Sequence, residues 1–315
     1  MKKILTTLCA VAMLAGCTAG GSKKSSTNTS TKEETAATVM VGTGSVTSVS
    51  NKAKEGSDTA AQFDTTFASV VLEGNVIKYV YFDVAQDKVT YDATGHVTSD
   101  NTASTSKKAL GDKYGMKDKS SIKKEWYEQV EALEKWAVGK TVEEVLTMPT
   151  TQKDEKHTVT ADKDLITGCT IGVTAFQQAL DKAAKNAVEV KDVASVGSAI
   201  LTEVSGKDAS AEKSGEAKAS STYGVVALDK DGKVVFTQTD EAQNAVKFTT
   251  AGALDGEAVA VATKGEKKDE YGMKKVSSIG KEWFEQNQAY DEWTVGKTAK
   301  EIADMKVTTN EGGKT

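Results

Sequence analysis

Apolar side chains alternate with polar ones in some stretches of this chain and recur every third or fourth position in others. Phe67 to Leu72 and Val76 to Phe82 are β-rich runs on either side of Glu73-Gly74-Asn75, which predicts a hairpin. The stretch "VVALDKDGKVVFTQT" from Val225 repeats that signal with a turn at Asp231-Gly232. Helical spacing follows each hairpin. Ile122, Trp126, Val130 and Leu133 fall at i, i+4, i+8 and i+11, one apolar stripe, with Ser121 as the expected cap. Thr141-Val142-Glu143-Glu144 has the form of a capping box for a short helix ending near Met148, and Thr298-Ala299-Lys300-Glu301 repeats it. Phe176, Leu180, Ala183, Ala184 and Ala187 share a face of a further helix, opened by the capping-box-like Thr174-Ala175-Phe176-Gln177. Strands followed by segregated helices predict an α+β fold with antiparallel sheets.

The pattern is duplicated. "KYGMKDKSSIKKEWYEQVEALEKWAVGKTVEEVLTM" recurs as "EYGMKKVSSIGKEWFEQNQAYDEWTVGKTAKEIADM", so that Tyr114 matches Tyr271, Trp126 matches Trp283 and Met148 matches Met305, each 157 positions apart. A period this long means two whole domains rather than a solenoid. The expected domains are 41–190 and 191–315. The counterpart of Thr170 would fall at position 327, past Thr315, so the second copy is expected to be C-terminally incomplete. Two explanations stand, a natural C-terminus lying further on or a degenerate second copy, and the intact aromatic and capping pattern favours the first.

Ahead of the repeat, "MKKILTTLCAVAMLAGC" reads as a targeting segment: two lysines, an apolar run too short to span a bilayer, and Leu14-Ala15-Gly16-Cys17. That ending resembles a bacterial lipobox, which implies a signal peptide over 1–16 and a lipidated Cys17 on an exported chain. Two acyl chains on Cys17 would anchor it durably in the cell membrane. Residues 17–40 read as a flexible tether rich in Ser, Thr, Gly and Lys, with a root-mean-square span of about 25 Å. Gly42-Thr43-Gly44 lacks the rest of a dinucleotide fingerprint and counts as linker.

Charge and cysteine usage narrow the chemistry. Without Lys2 and Lys3 the side-chain balance is 38 basic against 45 acidic, a mixed and mildly acidic surface that argues against nucleic acid as a partner. Of Cys9, Cys17 and Cys169, only Cys169 would stay free in the mature chain, so no intramolecular disulfide forms. His96 and His157 stand apart with no ligand pattern, and a zinc site is unsupported. Trp126, Trp136, Trp283 and Trp293 read as core before stacking platforms. Tyr114-Gly115-Met116 and Tyr271-Gly272-Met273 read either as ordinary turns or as loops that face a ring.

One stretch carries specific chemistry. "DLITGCTIGV", Asp164 to Val173, is a turn just ahead of the helix after Thr174, with Gly168 permitting tight backbone and Thr170 at the bend. Asp164-x-x-Thr167-Gly168-Cys169-Thr170 resembles the flavinylation signature of FMN-binding domains, in which a flavin transferase moves FMN from FAD onto a threonine hydroxyl as a phosphodiester. The departures are Cys169 where alanine is usual and Gly172 where a second hydroxyl residue often stands. Lipobox, tether and duplication extend the likeness to the extracellular electron-transfer flavoprotein lipoproteins of Gram-positive bacteria.

The resemblance implies two tandem FMN-binding-type domains with covalent FMN on Thr170. Gly168 would give the transferase backbone access, Asp164 would serve recognition or metal-assisted transfer, and Thr167 and Cys169 would complete the motif. It also implies a lipid-anchored chain on the extracellular face of the cell membrane. Electrons would come from a membrane NADH:quinone-type dehydrogenase and pass to acceptors such as ferric iron or soluble flavins. Such a carrier needs no catalytic triad of its own, and the flavin does the chemistry. The rival readings are a non-redox binding or adhesion lipoprotein with duplicated α+β modules, and a self-contained surface reductase.

Overall fold

A computed structural model describes residues 38–308 apart from 55, 56, 103 and 156. Cys17 and the tether up to Ala37 lie outside the described residues. Strands β1 (Val39–Lys54), β2 (Ser57–Glu73) and β3 (Val76–Tyr91) form an antiparallel meander. After it come a short helix α1 (Lys107–Leu110), α2 (Trp126–Ala137), α3 (Val142–Leu146) and the small hairpin of β4 (Thr150–Asp154) and β5 (His157–Thr160). Helix α4 (Thr174–Lys185) leads into β6 (Val188–Val190), which closes the first sheet in the order β3-β2-β1-β6. A second meander, β7 (Ser195–Lys207), β8 (Gly215–Leu228) and β9 (Val234–Phe248), is followed by α5 (Lys264–Lys267), α6 (Trp283–Thr294) and α7 (Ala299–Ala303). The helices α5, α6 and α7 each start 157 residues after α1, α2 and α3. The chain is thus a mixed α+β structure with antiparallel sheets, and among the described residues no helix is long and apolar enough to cross a membrane.

Both hairpin turns fall where expected, at Gly74 and at Gly232, each with positive φ. The strands run much further than the apolar runs suggested, because residues such as Thr65, Ser69 and Thr43 are buried within the sheet despite their polarity. Gly42-Thr43-Gly44, expected as linker, lies inside β1. Helix α2 begins at Trp126, not after Ser121: Glu125 is its cap and closes a capping box with Glu128, while Lys123 takes a positive φ that the helix cannot hold. The boxes at Thr141 and Thr298 are both formed.

The two meanders pack face to face. β2 lies over β8, β1 over β9, and β3 over β7. Between the sheets Tyr91 stacks on Phe248 with ring centres 3.8 Å apart, and Phe67 sits between Tyr81 and Tyr223 at 5.8 Å from each. Each such fully buried aromatic contributes about 1.5–3 kcal/mol. Polar threads join the two halves: Thr43 N–H donates to Gln238 Oε1 at 2.7 Å, and Gln238 Nε2 donates to Asn186 O at 3.2 Å.

The outer face of the first sheet is sealed by α2, α3 and α4. Val70, Phe82, Trp126, Leu133, Phe176 and Leu180 belong to that core. Helix α4 lies so close to β1 that a Cβ on Gly42 would come within 2.3 Å of Ala183 O, and one on Gly44 within 2.6 Å of Lys182 Cβ. Strand β2 is consequently buried on both faces from Thr65 to Leu72, whereas β8 alternates buried and half-exposed positions along nearly its whole length.

Two predictions follow from this packing. Gly42→Val should cost about 1–3 kcal/mol or more by forcing α4 off the sheet, seen as a lower urea midpoint with an unchanged slope; a midpoint at the wild-type value would rule out the close approach. The second concerns Asp291 on α6, whose carboxyl is pushed up by burial to about 6 from the ordinary 3.8. Between those values the folded chain holds a proton that the unfolded chain has released, so this group's penalty is absent below about pH 4 and complete above about pH 6, and stability falls as pH rises through the window. Asp291→Asn should flatten that slope when urea midpoints at about pH 4 and about pH 7 are compared. A variant that keeps the wild-type slope would place the titration on another group.

Candidate functional site

The turn of 163–168 is built around Asp162, whose Oδ1 accepts the N–H groups of Asp164 at 3.0 Å and Leu165 at 3.1 Å. The same oxygen accepts the indole N–H of Trp136 at 3.1 Å, which ties the turn to the end of α2. Leu165 is buried in the core beneath, and its carbonyl accepts the N–H groups of both Gly168 and Cys169, at 2.8 and 2.9 Å. A Cβ on Gly168 would lie 2.9 Å from the Ala132 Cβ, so only glycine lets the turn sit this close to α2. Cys169 is fully buried, and burial pushes its thiol up to about 11. It fills a small apolar slot and is protonated at neutral pH.

Thr170 is half-buried and is held by one side chain. Its N–H and its hydroxyl both donate to Gln129 Oε1, at 2.9 and 3.1 Å. Gln129 lies on α2 and is completely buried; its Nε2 donates to Ser120 Oγ and to Lys124 O, both at 3.1 Å, and approaches Met116 Sδ at 3.5 Å. The loop of Tyr114-Gly115-Met116 is fixed in turn by Glu125, whose carboxylate accepts Met116 N–H at 2.8 Å and Lys117 N–H at 3.0 Å. Backbone hydrogen bonds to Lys117, Met116 and Trp126 hold that carboxyl below its usual range against the opposing pull of desolvation, the largest single effect on it. From the other side Lys153 Nζ donates to Thr170 O at 3.2 Å.

Helix α4 begins four residues after Thr170 with Val173 at the cap position and no side-chain cap. The capping box expected from Thr174 to Gln177 is absent. Gln177 is engaged elsewhere, donating through Nε2 to Val145 O and Leu146 O, two carbonyls at the end of α3, at 3.1 and 2.9 Å. The first N–H groups of α4 are therefore left for solvent or an anion. No family model, curated protein or solved structure matches the chain.

Of the residues singled out beforehand, Gly168, Cys169 and Thr170 converge on α2, while Asp164 and Thr167 lie exposed on the outer side of the turn. Trp126 is core and Trp136 is a half-buried anchor for Asp162. His157 pairs with Asp154 on the small hairpin, and His96 pairs with Asp208 at 3.2 Å at the far end of the sandwich. Gln129, Asp162 and Lys153 were missed. Gln129 had a signal, since Gln286 repeats it 157 residues later in the same apolar stripe, where a buried amide demands partners. Asp162 and Lys153 had none.

Gln129→Leu keeps the volume and strands the Thr170 amide, Ser120 and the Lys124 carbonyl. It should lower stability by about 1–3 kcal/mol in equilibrium unfolding, and should speed hydrogen exchange at Thr170 while leaving β8 unaffected. Exchange at Thr170 at the wild-type rate would show that Gln129 does not hold the turn.

Proposed function

We propose that this chain is an extracellular electron carrier of two FMN-binding-type α+β modules, lipid-anchored at Cys17, with FMN linked through a phosphodiester to Thr170. It takes electrons from a membrane NADH:quinone-type dehydrogenase and delivers them to acceptors such as ferric iron or soluble flavins. The observation that carries the reading is the setting of Thr170: an acceptor-type motif, Asp164 to Thr170, formed as a rigid turn whose hydroxyl is half-exposed, immediately before an uncapped helix N-terminus.

The residues present fit a phosphate there. Lys153 and the start of α4 bring positive charge and free N–H groups to the turn. Gln129 Oε1 accepts from both the hydroxyl and the amide of Thr170, so esterification of the hydroxyl removes one of these bonds and leaves the amide bond to hold the residue in place. Gln129 and Glu125 also fix the loop of Tyr114 to Lys117 next to the turn, and Lys107 Nζ lies over the Tyr114 and Trp126 rings at 5.1 and 5.5 Å. When bound, FMN supplies one- and two-electron chemistry, and the protein sets its exposure and potential. Covalent attachment suits an exported chain, because free flavin outside the cell is diluted and reversible occupancy falls with it.

Co-production with an FMN transferase tests the reading. Flavin fluorescence should stay with the denatured band and map by mass to the peptide holding Thr170; it should vanish in Thr170→Val and fall in Gln129→Leu. A chain left unmodified while a control substrate is flavinylated in the same cells would return the protein to the binding or adhesion class.

A further inference from the structure

Each half carries a carboxylate from a helix at the edge strand of its sheet, but only the first half gives that carboxylate a cation. Glu134 on α2 reaches the edge of β3, where its Oε1 accepts the N–H of Phe82 at 2.6 Å. Lys108 on α1 folds across the same edge. Its Nζ donates to Glu134 Oε1 at 2.6 Å and lies 3.7 Å from the centre of the Tyr81 ring. Both side chains of this pair are largely buried, so the edge is closed by a carboxylate, an ammonium and the aliphatic stem that carries it.

The second half, 157 residues on, keeps the carboxylate. Asp291 on α6 stands for Glu134, and its Oδ2 accepts the N–H of Thr239 at the edge of β9 at 3.0 Å. The ammonium and the ring are gone: Lys108 becomes Gly265 and Tyr81 becomes Gln238. A cleft of about 630 Å³ lies there, and Gly265, Gln238 and Asp291 all line it. The groups that close the first-half edge come from α1, β3 and α2, whereas α4 lies over β1 and β2. The cleft is therefore left by substitutions within α5, β9 and α6. Glycine is also required at 265, because a Cβ there would lie 2.9 Å from the Asp240 carboxylate.

Among the described residues no cation pairs with Asp291. Thr239 Oγ1 donates to its Oδ1 at 2.8 Å and Asn287 Nδ2 approaches its Oδ2 at 3.4 Å, while the charges that act on it, Asp240 and Glu292, share its sign. Burial first, and then these like charges, push its carboxyl up to about 6, so that it is ionised at neutral pH. The other carboxylates of the lining are differently placed. Glu266 pairs with Lys182 at 2.5 Å, and Asp240 is committed to Thr263 Oγ1 and Gly265 N–H at 2.5 and 2.8 Å. Glu292 is exposed and accepts Gln288 Nε2 at 2.8 Å. Lys268 lines the cleft from an exposed turn and makes no bond to Asp291.

We propose that this cleft binds an aliphatic primary ammonium, which takes against Asp291 the place that Lys108 fills against Glu134. Asp291 Oδ1 accepts one hydrogen bond and has a lone pair left for an N–H donor. Aspartate is one methylene shorter than glutamate, so the ligand must pass further in toward α6, and Gly265 leaves the way clear. Phe236, Trp283 and Val295 supply apolar wall for its methylenes. Glu292 adds negative charge beside Asp291 and turns anions away. A neutral alcohol of the same length gains no charge-assisted bond here, and a quaternary ammonium has no N–H to give. The site does not depend on a flavin at Thr170.

The test is an amide NMR titration of the intact, isotope-labelled chain with n-butylamine, which reproduces the lysine stem, at neutral pH and constant ionic strength. Saturable shifts are expected at the Thr239 amide and the Asn287 side-chain amide, with a midpoint of about 5 mM or lower. The Phe82 and Lys108 amides should not move, since Lys108 itself fills that space. Asp291→Asn keeps the shape of the carboxylate and should raise the midpoint at least about tenfold, while its remaining cross-peaks report that it is folded. n-Butanol and tetramethylammonium should each bind at least about tenfold more weakly than the amine. A blocked peptide, acetyl-Gly-Lys-Gly amide, distinguishes the source of the ammonium. Shifts of the same groups by the peptide assign the site to a lysine side chain of a polypeptide, and shifts by n-butylamine alone assign it to a free aliphatic amine; both uphold it. Absence of saturation up to about 50 mM amine overturns the proposal. So does equal binding of n-butanol, which would make the cleft merely apolar, and so do shifts unchanged in Asp291→Asn, which would place the amine elsewhere on the acidic surface.

Discussion

Two long antiparallel sheets, each with one face too apolar to leave in water, bury those faces against each other, and most of the molecule is arranged around that seam. Tyr91 on Phe248 and Phe67 between Tyr81 and Tyr223 set the spacing, and Gly215 leaves room where the Phe248 ring would meet any Cβ at 2.2 Å. The seam explains why the strands outrun their apolar runs. Residues such as Thr65, Ser69 and Thr43 are carried into the interior by their neighbours, and their hydroxyls find partners there, as Thr43 Oγ1 does at Ala68 O. Polar threads through Gln238 and Asn186 hold the register of one half against the other.

With one face of each sheet committed to the seam, only the outer faces remain for helices. On the first sheet this yields a dry layer of α2, α3 and α4, and the site is a by-product of that layer. Gln129 is drawn into the interior by the helix stripe it belongs to, and a fully buried amide must be satisfied. It is satisfied by Ser120 and Lys124 on one side and by Thr170 on the other. The hydroxyl of Thr170 is thus positioned by the same interaction that stabilises the core.

The second sheet carries α5, α6 and α7 with a different set of outer contacts. Its buried aspartate, Asp240, accepts Thr263 Oγ1 at 2.5 Å and Gly265 N–H at 2.8 Å, just as Asp83 accepts Ser106 Oγ at 2.7 Å and Lys108 N–H at 3.0 Å. The loops that these groups fix are therefore alike in the two halves. The outer packing is not: Val130 becomes Asn287, Phe82 becomes Thr239 and Val84 becomes Glu241, and Glu241 is matched by Lys264 at 2.7 Å. Polar replacements of this kind are tolerated where each finds a partner.

Local patterns determined a good deal. The hairpin turns at Gly74 and Gly232, the capping boxes at Thr141 and Thr298, the stripe of α2 and the separation of strands from helices were all legible, because each rests on interactions between residues close in the chain. The tight turn at Gly168 just ahead of α4 was legible too. What the tertiary structure decided was every feature that depends on a distant partner. Gly42 and Gly44 read as linker, yet they are the bed of α4, since nothing near them in sequence reveals a helix 140 residues away. Ser121 looked like a cap, but Glu125 took that role in a capping box with Glu128, and Gln177 left its own helix for the carbonyls of α3. The assignment of Gln129 to Thr170 arises only when α2 meets the turn that packs on it, because hydrogen-bond satisfaction in a core is a property of the assembled layer.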